Sequence, residues 1–172
     1  MPPEKVHIPE VFEPDEKLPS DLVALRRFAF FMDEAIAIPG TKWRFGADAA
    51  LGLIPGFGDI IGGMLSTWIV VGALRHRVPA HVIVRMVFNI VVDLLFGAVP
   101  VAGDLFDFLF EENVANMRLL EKHRDRTRPP RRTHEIALTA IVIITFIFLI
   151  AVVLGIAAIA LIFWLIGKRS WV

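Results

Sequence analysis

Asp48-Ala-Ala-Leu-Gly52-Leu-Ile-Pro55-Gly-Phe-Gly58-Asp59 returns 45 positions later as Asp93-Leu-Leu-Phe-Gly97-Ala-Val-Pro100-Val-Ala-Gly103-Asp104. Aspartate, glycine, proline, glycine and aspartate recur in register, with apolar residues almost everywhere between them. A match at fixed offset marks an internal repeat, and it predicts a duplicated helix–break–helix domain with a period of 45. It also sets four carboxylates among apolar residues, where an unpaired charge is costly. The pattern speaks to architecture and membrane placement and names no substrate.

Gly52, Pro55 and Gly58, and then Gly97, Pro100 and Gly103, interrupt what would otherwise be continuous helix. Proline removes a backbone donor and stops the preceding turn, while glycine opens conformations closed to other residues. The simpler reading of each break is a tight corner between two helices. The sharper one follows from membrane physics: irregular backbone survives there only when buried in protein or lining a wet cavity, and transporters use such breaks to aim helix ends at ions.

Asp59 and Asp104 each follow a glycine and precede an apolar run. That is the place of an N-cap, where a carboxylate accepts orphan amide protons and meets the positive end of the helix dipole. Asp48 and Asp93 instead fall inside helices. Before the second break His81, Arg85, Asn89 and Asp93 follow at intervals of four, along one drifting stripe of a helix. The first copy retains only Arg44 and Asp48. Because charges removed from water must be paired, the economical expectation for Arg44, Asp48, Arg85, Asn89 and Asp93 is a buried arginine–aspartate network. The alternative is a polar seam that binds a cation or relays protons.

The rest of the chain is strongly apolar. Hydrophobic residues make up 56% and the mean hydropathy is +0.64, against roughly 45–50% apolar in an ordinary soluble domain. Ile136 to Ile166 holds no charged residue over 31 positions, roughly 46 Å as a helix against a hydrocarbon core of about 30 Å. One tilted transmembrane helix fits residues 136–166; two do not. Arg124, Arg126, Arg128, Arg131 and Arg132 crowd its N-terminal side, against Lys168 and Arg169 on the other. The excess of positive charge predicts a cytoplasmic linker over 124–135 and a short tail over 167–172 outside, in the inner membrane. The linker arginines also suit anionic headgroups.

Residues 1–19 carry five prolines and an acidic excess, and predict a mobile tail. Over 20–123 the spacing predicts helices from Ser20 to about Ile38, around 45–53, from Asp59 to Arg75, from Ala80 to Phe96 and from Asp104 to His123. The last of these grows polar through Glu111, Glu112, Asn113, Asn116, Arg118 and Glu121, and is expected to emerge into water. No stretch alternates as a strand does, so the fold class is all-α.

Several function classes recede. Net charge of zero offers no basic field for nucleic acid. Without cysteine there is no disulfide, thiolate metal site or cysteine nucleophile. Serine occurs only at positions 20, 66 and 170, and no serine–histidine–aspartate set can be assembled. The five histidines lack metal-ligand spacing and are expected to be solvated or capping, and no cofactor is expected. The Ala151, Gly155, Ala158 stripe and Gly58-x-x-x-Gly62 suit close helix approach, within the chain or in a homo-oligomer.

Ile38-Pro-Gly-Thr-Lys-Trp-Arg-Phe-Gly46-Ala-Asp48, Gly52-Leu-Ile-Pro-Gly-Phe-Gly-Asp59, Asn89 through Asp93 to Gly103-Asp-Leu-Phe-Asp107, and Asn113-Val-Ala-Asn116-Met-Arg-Leu-Leu120 together resemble the DUF4112 family. The similarity covers about residues 24–123; Glu111-Glu112 departs from it, standing where the family pattern carries a basic residue. That family is chiefly bacterial, is regarded as membrane-associated and has no established function. The resemblance implies a domain boundary and adds no activity. The expected protein is thus non-enzymatic, embedded in a lipid bilayer and engaged with a protein partner or a second copy. The alternative is a small ion- or proton-handling protein built on the buried aspartates.

Overall fold

The computed structural model describes the backbone at residues 18–37, 39–40, 44–47, 51, 57–97 and 111–169, and the side chains there except at 44, 45, 57–59, 165, 166, 168 and 169. Helix α1 (Ser20–Glu34) leads into two short strands, β1 (Ile36–Ala37) and β2 (Arg44–Phe45). Helices α2 (Phe57–Arg75), α3 (Ala80–Gly97), α4 (Glu112–His123) and α5 (Thr133–Arg169) follow. The all-α expectation therefore holds apart from one two-residue ladder, in which Ile36 faces Phe45 and Ala37 faces Arg44.

Two details differ from expectation. Helix α1 stops at Glu34 because the next residues pair with β2, and Phe45 lies in that strand instead of opening a helix. Gly40 supplies the left-handed conformation, φ 80°, that reverses the chain between the strands. The tail over 1–17, and with it Asp48, Gly52, Pro55, Pro100, Gly103 and Asp104, lies outside the described residues. Asp59 falls in the first turn of α2, which begins at Phe57.

Helix α2 is apolar around most of its circumference, and it packs against all four other helices. Ser66, Thr67, Ile69, Val70, Ala73 and Leu74 are buried along it. Helices α2 and α3 form an antiparallel pair, with the Leu94 side chain lying over Gly63. Their connection is a Schellman turn: the Val78 amide donates to Ala73 O at 3.0 Å and the Arg77 amide to Leu74 O at 3.3 Å. Arg77 takes the left-handed conformation, φ 59°, where glycine is usual.

Helix α5 contacts α2 and α3 through one narrow stripe: Ile136, Ala140, Ile147, Ala151, Gly155 and Ala158. Steps of four and three keep one line of side chains facing a neighbour. The small-residue stripe is therefore used within the chain. Most of the rest of the helix is apolar and exposed, from Leu138 at 77% exposed to Phe163 at 71%, with Ile143, Ile150 and Leu154 partly buried beside the stripe. On α3, Val84, Phe88, Leu95 and Phe96 are likewise exposed.

By length and composition two helices among the described residues can cross a membrane: α3, and the Thr133–Trp164 part of α5. The opposite side of the bundle, α1 with α4, carries Arg27, Arg118 and Lys122 on its surface. The bundle is two-sided.

The duplication is not visible in the described backbone. Helix α3 occupies 80–97, whereas the segment 45 positions earlier, 35–52, holds β1 and β2. Of the break residues, Gly58 lies in the first turn of α2 and Gly97 is the last residue of α3, while the others lie outside the described residues.

Candidate functional site: a buried polar seam

Helix α4 turns its polar residues inward. Glu112 (1% exposed), Asn113 and Asn116 (0%) and Glu121 (6%) are buried together with Met117 and Leu120. Asn113, Asn116, Met117 and Leu120 stand at the i, i+3, i+4, i+7 positions of a single face, so this is the packed face of the helix. The expectation that this helix emerges into water is corrected for one face: Glu112, Asn113, Asn116 and Glu121 are buried, while Arg118 and Lys122 are exposed.

The partners are specific. Asn89 of α3 donates from Nδ2 to Asn116 Oδ1 at 2.8 Å. Asn116 Nδ2 donates to the Met86 carbonyl at 3.2 Å and to Glu112 Oε1, one turn earlier on α4. From α1, Asp33 Oδ1 accepts from Asn113 Nδ2 at 2.8 Å, and Asp33 Oδ2 accepts from the Val114 amide at 2.7 Å. Glu111 makes no side-chain cap for α4. Asp33 therefore does that work from a different helix, meeting an orphan amide and the positive dipole end with its charge. The seam ties α1, α3 and α4 together where apolar contacts alone specify no register.

Of the expected site residues, Asn89 enters this seam. Asp93 is half-buried one turn further along α3. Since α3 and α4 run antiparallel with Asn89 against Asn116, Asp93 stands level with Glu112. Arg85 does not join; it is exposed, without an ion-pair partner among the described residues. Each step of four advances about 40° beyond a full turn, which carries Arg85 to the outer side while Asn89 faces α4. The Arg44 side chain and Asp48 lie outside the described residues, as does the Asp59 side chain. Gly97 ends α3.

A second polar cluster holds the other end. His76, expected to be solvated or capping, is only 3% exposed and its Nε2 lies 2.9 Å from Asp21 Oδ2. Burial works to raise the Asp21 carboxyl, but the hydrogen bond and charge of His76, the Leu22 amide and Arg75 outweigh it and hold it below its ordinary value. Arg26 Nε donates to Glu121 Oε1 at 2.8 Å. Burial nonetheless keeps the Glu121 carboxyl above its ordinary value, against the opposing pull of Arg26, Arg124 and Arg118. Phe28 and Trp68 meet edge to face at 5.0 Å between them and α2.

Asp33, Glu112, Asn113, Asn116 and the Asp21–His76 pair were not among the site residues expected from sequence. The available signal for the first four was the spacing of Asn113 and Asn116 in phase with Met117 and Leu120. Among the described residues no group of three or more histidine, aspartate or glutamate side chains is placed to hold a metal ion. The seam is a set of hydrogen bonds that joins α1, α3 and α4.

No curated protein and no solved structure matches the chain. A family model described as a domain of unknown function matches residues 21–124, which is α1 through the end of α4 with the seam inside it, and the chain belongs to that family, DUF4112.

Proposed function

We propose that this chain is an integral protein of the cytoplasmic membrane that acts without catalysis, binding or organising protein partners there. The observation that carries the reading is the two-sidedness of the bundle. An α5 surface running from Leu138 to Phe163, uncovered on all but one stripe, is stable in hydrocarbon and unstable in water. The α1–α4 side carries charge and suits a partner or the aqueous face.

The orientation follows the positive-inside rule. Arg75, Arg77 and the linker arginines lie at one end of α2, α3 and α5, and that end is cytoplasmic. The tail after α5 is then outside.

Two measurements test this. The full chain is expected to stay in the pellet when membranes are washed with alkaline carbonate. Gentle-detergent purification is expected to recover a stoichiometric companion, either another protein or a second copy. Release by carbonate ends the membrane reading, and a lone monomer ends the partner reading.

A second reading is supported by Asn89, which lies near the middle of α3 and connects through Asn116 to Glu112. In a spanning α3 that places a hydrogen-bonded chain ending in a carboxyl group at membrane depth, the arrangement of a proton path. With Asp93 level with Glu112, and with Asp48 and Arg44 as further candidates, the protein would handle protons or small cations. Proteoliposomes holding the full chain would then dissipate a pH gradient, and Glu112→Gln or Asp93→Asn would abolish the flux while the helical signal persists. Equal leak from wild type and both variants rejects it.

A further inference from the structure

The linker after α4 is not a free tether. The Asp125 amide donates to His76 O at 3.0 Å, and the Arg131 amide donates to Arg75 O at 2.8 Å. Arg77 Nε reaches the Pro129 carbonyl at 3.1 Å. Three hydrogen bonds thus clamp residues 124–132 onto the α2–α3 turn. Arg77 makes its bond from a left-handed backbone position, φ 59°, that is unfavourable for a non-glycine residue. A side chain held there against that cost marks the clamp as a built feature.

The clamp gathers Arg75, Arg77, Arg128, Arg131 and Arg132 on one platform, with Arg75, Arg128 and Arg132 exposed. The acidic groups facing it are few. Asp21 lies 3.7 Å from Arg75 and is occupied by His76. Asp125 lies 3.7 Å from Arg128 and accepts from the Thr127 amide and hydroxyl. Glu135 accepts from the Arg132 amide. The platform stays cationic.

Its place in the fold selects the partner. Helices α3 and α5 begin at its edge, at Ala80 and Thr133, and their exposed apolar surface starts within two turns, with Val84 and Leu138. A ligand fitting both features carries a phosphate-like anion on an apolar tail. Resting on the reading of α3 and α5 as membrane helices, we infer that this platform is a docking surface for the headgroups of anionic phospholipids in the cytoplasmic leaflet. Guanidinium groups suit phosphate oxygens through paired, charge-assisted hydrogen bonds. Arg85, exposed beside Val84, is long enough to reach the same level by extending along the apolar surface.

The test uses the full chain in a neutral detergent, titrated separately with short-chain phosphatidylglycerol, short-chain phosphatidylcholine and inorganic phosphate, reading the thermal unfolding midpoint. Phosphatidylglycerol is expected to raise the midpoint in a saturable way that fades with salt, with little response to the other two. At about 1 kcal/mol per basic group near the surface, the double variant Arg128→Gln with Arg132→Gln is expected to need at least tenfold more phosphatidylglycerol for the same rise. Arg27→Gln with Arg118→Gln removes the same charge from the α1–α4 side and is expected to respond like wild type. Equal responses to both lipids, a response to phosphate alone, or an equal loss in both double variants overturns the inference. Carbonate extraction of the chain from membranes would instead show that the membrane reading has failed.

Discussion

Asn116→Leu is expected to lower the stability of the domain by about 3–5 kcal/mol. The substitution keeps the number and branching of the side-chain heavy atoms in a site that is fully buried, so no cavity confuses the result. What changes is polar. Asn116 accepts from Asn89 and donates to the Met86 carbonyl, both on α3, and donates to Glu112 on its own helix, so leucine breaks three bonds at once. Glu112 loses a donor at 1% exposure, where hydrogen bonds to a carboxylate are worth about 1.5–3 kcal/mol each. Unfolding of the detergent-solubilised chain, followed by helical signal and tryptophan emission, checks the magnitude. Asn116→Asp sharpens it. An ionised aspartate cannot donate to Glu112 and adds a like charge one turn away, so its folded-state carboxyl is held above the ordinary value. Its stability deficit is therefore smallest at low pH and grows as pH rises through that value. A leucine variant within 1 kcal/mol of wild type, or an aspartate variant with no such pH dependence, would show that the seam contributes little.

The seam also shows what was legible in the residues and what was not. Helices α2, α3 and α5 could be bounded closely because Pro79, the arginine linker and long uncharged runs mark their limits. Asn89 was reachable because an asparagine in phase with Asp93 on an apolar helix has to face another polar group. Arg85 shared that spacing but drifted outward, which periodicity in steps of four does not resolve. Helix α4 was misread for a physical reason. Polarity signals water only when no partner is available, and the partners of Asn113 and Asn116 lie 80 and 27 positions away, in Asp33 and Asn89. A hydropathy pattern records each residue alone, whereas burial of an amide depends on a distant one. The repeat of 48–59 at 93–104 is not matched by the described backbone before it: Ile36–Ala37 pairs as strand where α3, 45 positions later, is helix.

Gly46→Ala is expected to cost about 3 kcal/mol, near the upper end for overpacking, because the space a β-carbon would fill is already held by backbone. A β-carbon at Gly46 would fall onto the carbonyl of Met32 and against the amide nitrogen of Asp33. Neither can rotate aside as a side-chain terminus can, since both belong to the last turn of α1. Relief requires moving either that turn or β2. If the turn moves, Asp33 moves with it, and Asp33 is what holds Asn113 and the Val114 amide at the start of α4. A local clash is thereby transmitted to the seam. The double variant with Asp33→Asn is therefore expected to fall short of the sum of the single effects, as residues sharing a backbone shift do. Gly40→Ala is the control: it has the left-handed φ of 80° but nothing within 4 Å of the added carbon. Only the conformational cost of about 1 kcal/mol is expected there. Unfolding midpoints of the four variants separate the cases. Equal losses at Gly46 and Gly40 would mean that β2 yields freely, and that the packing of this strand against α1 does not position Asp33.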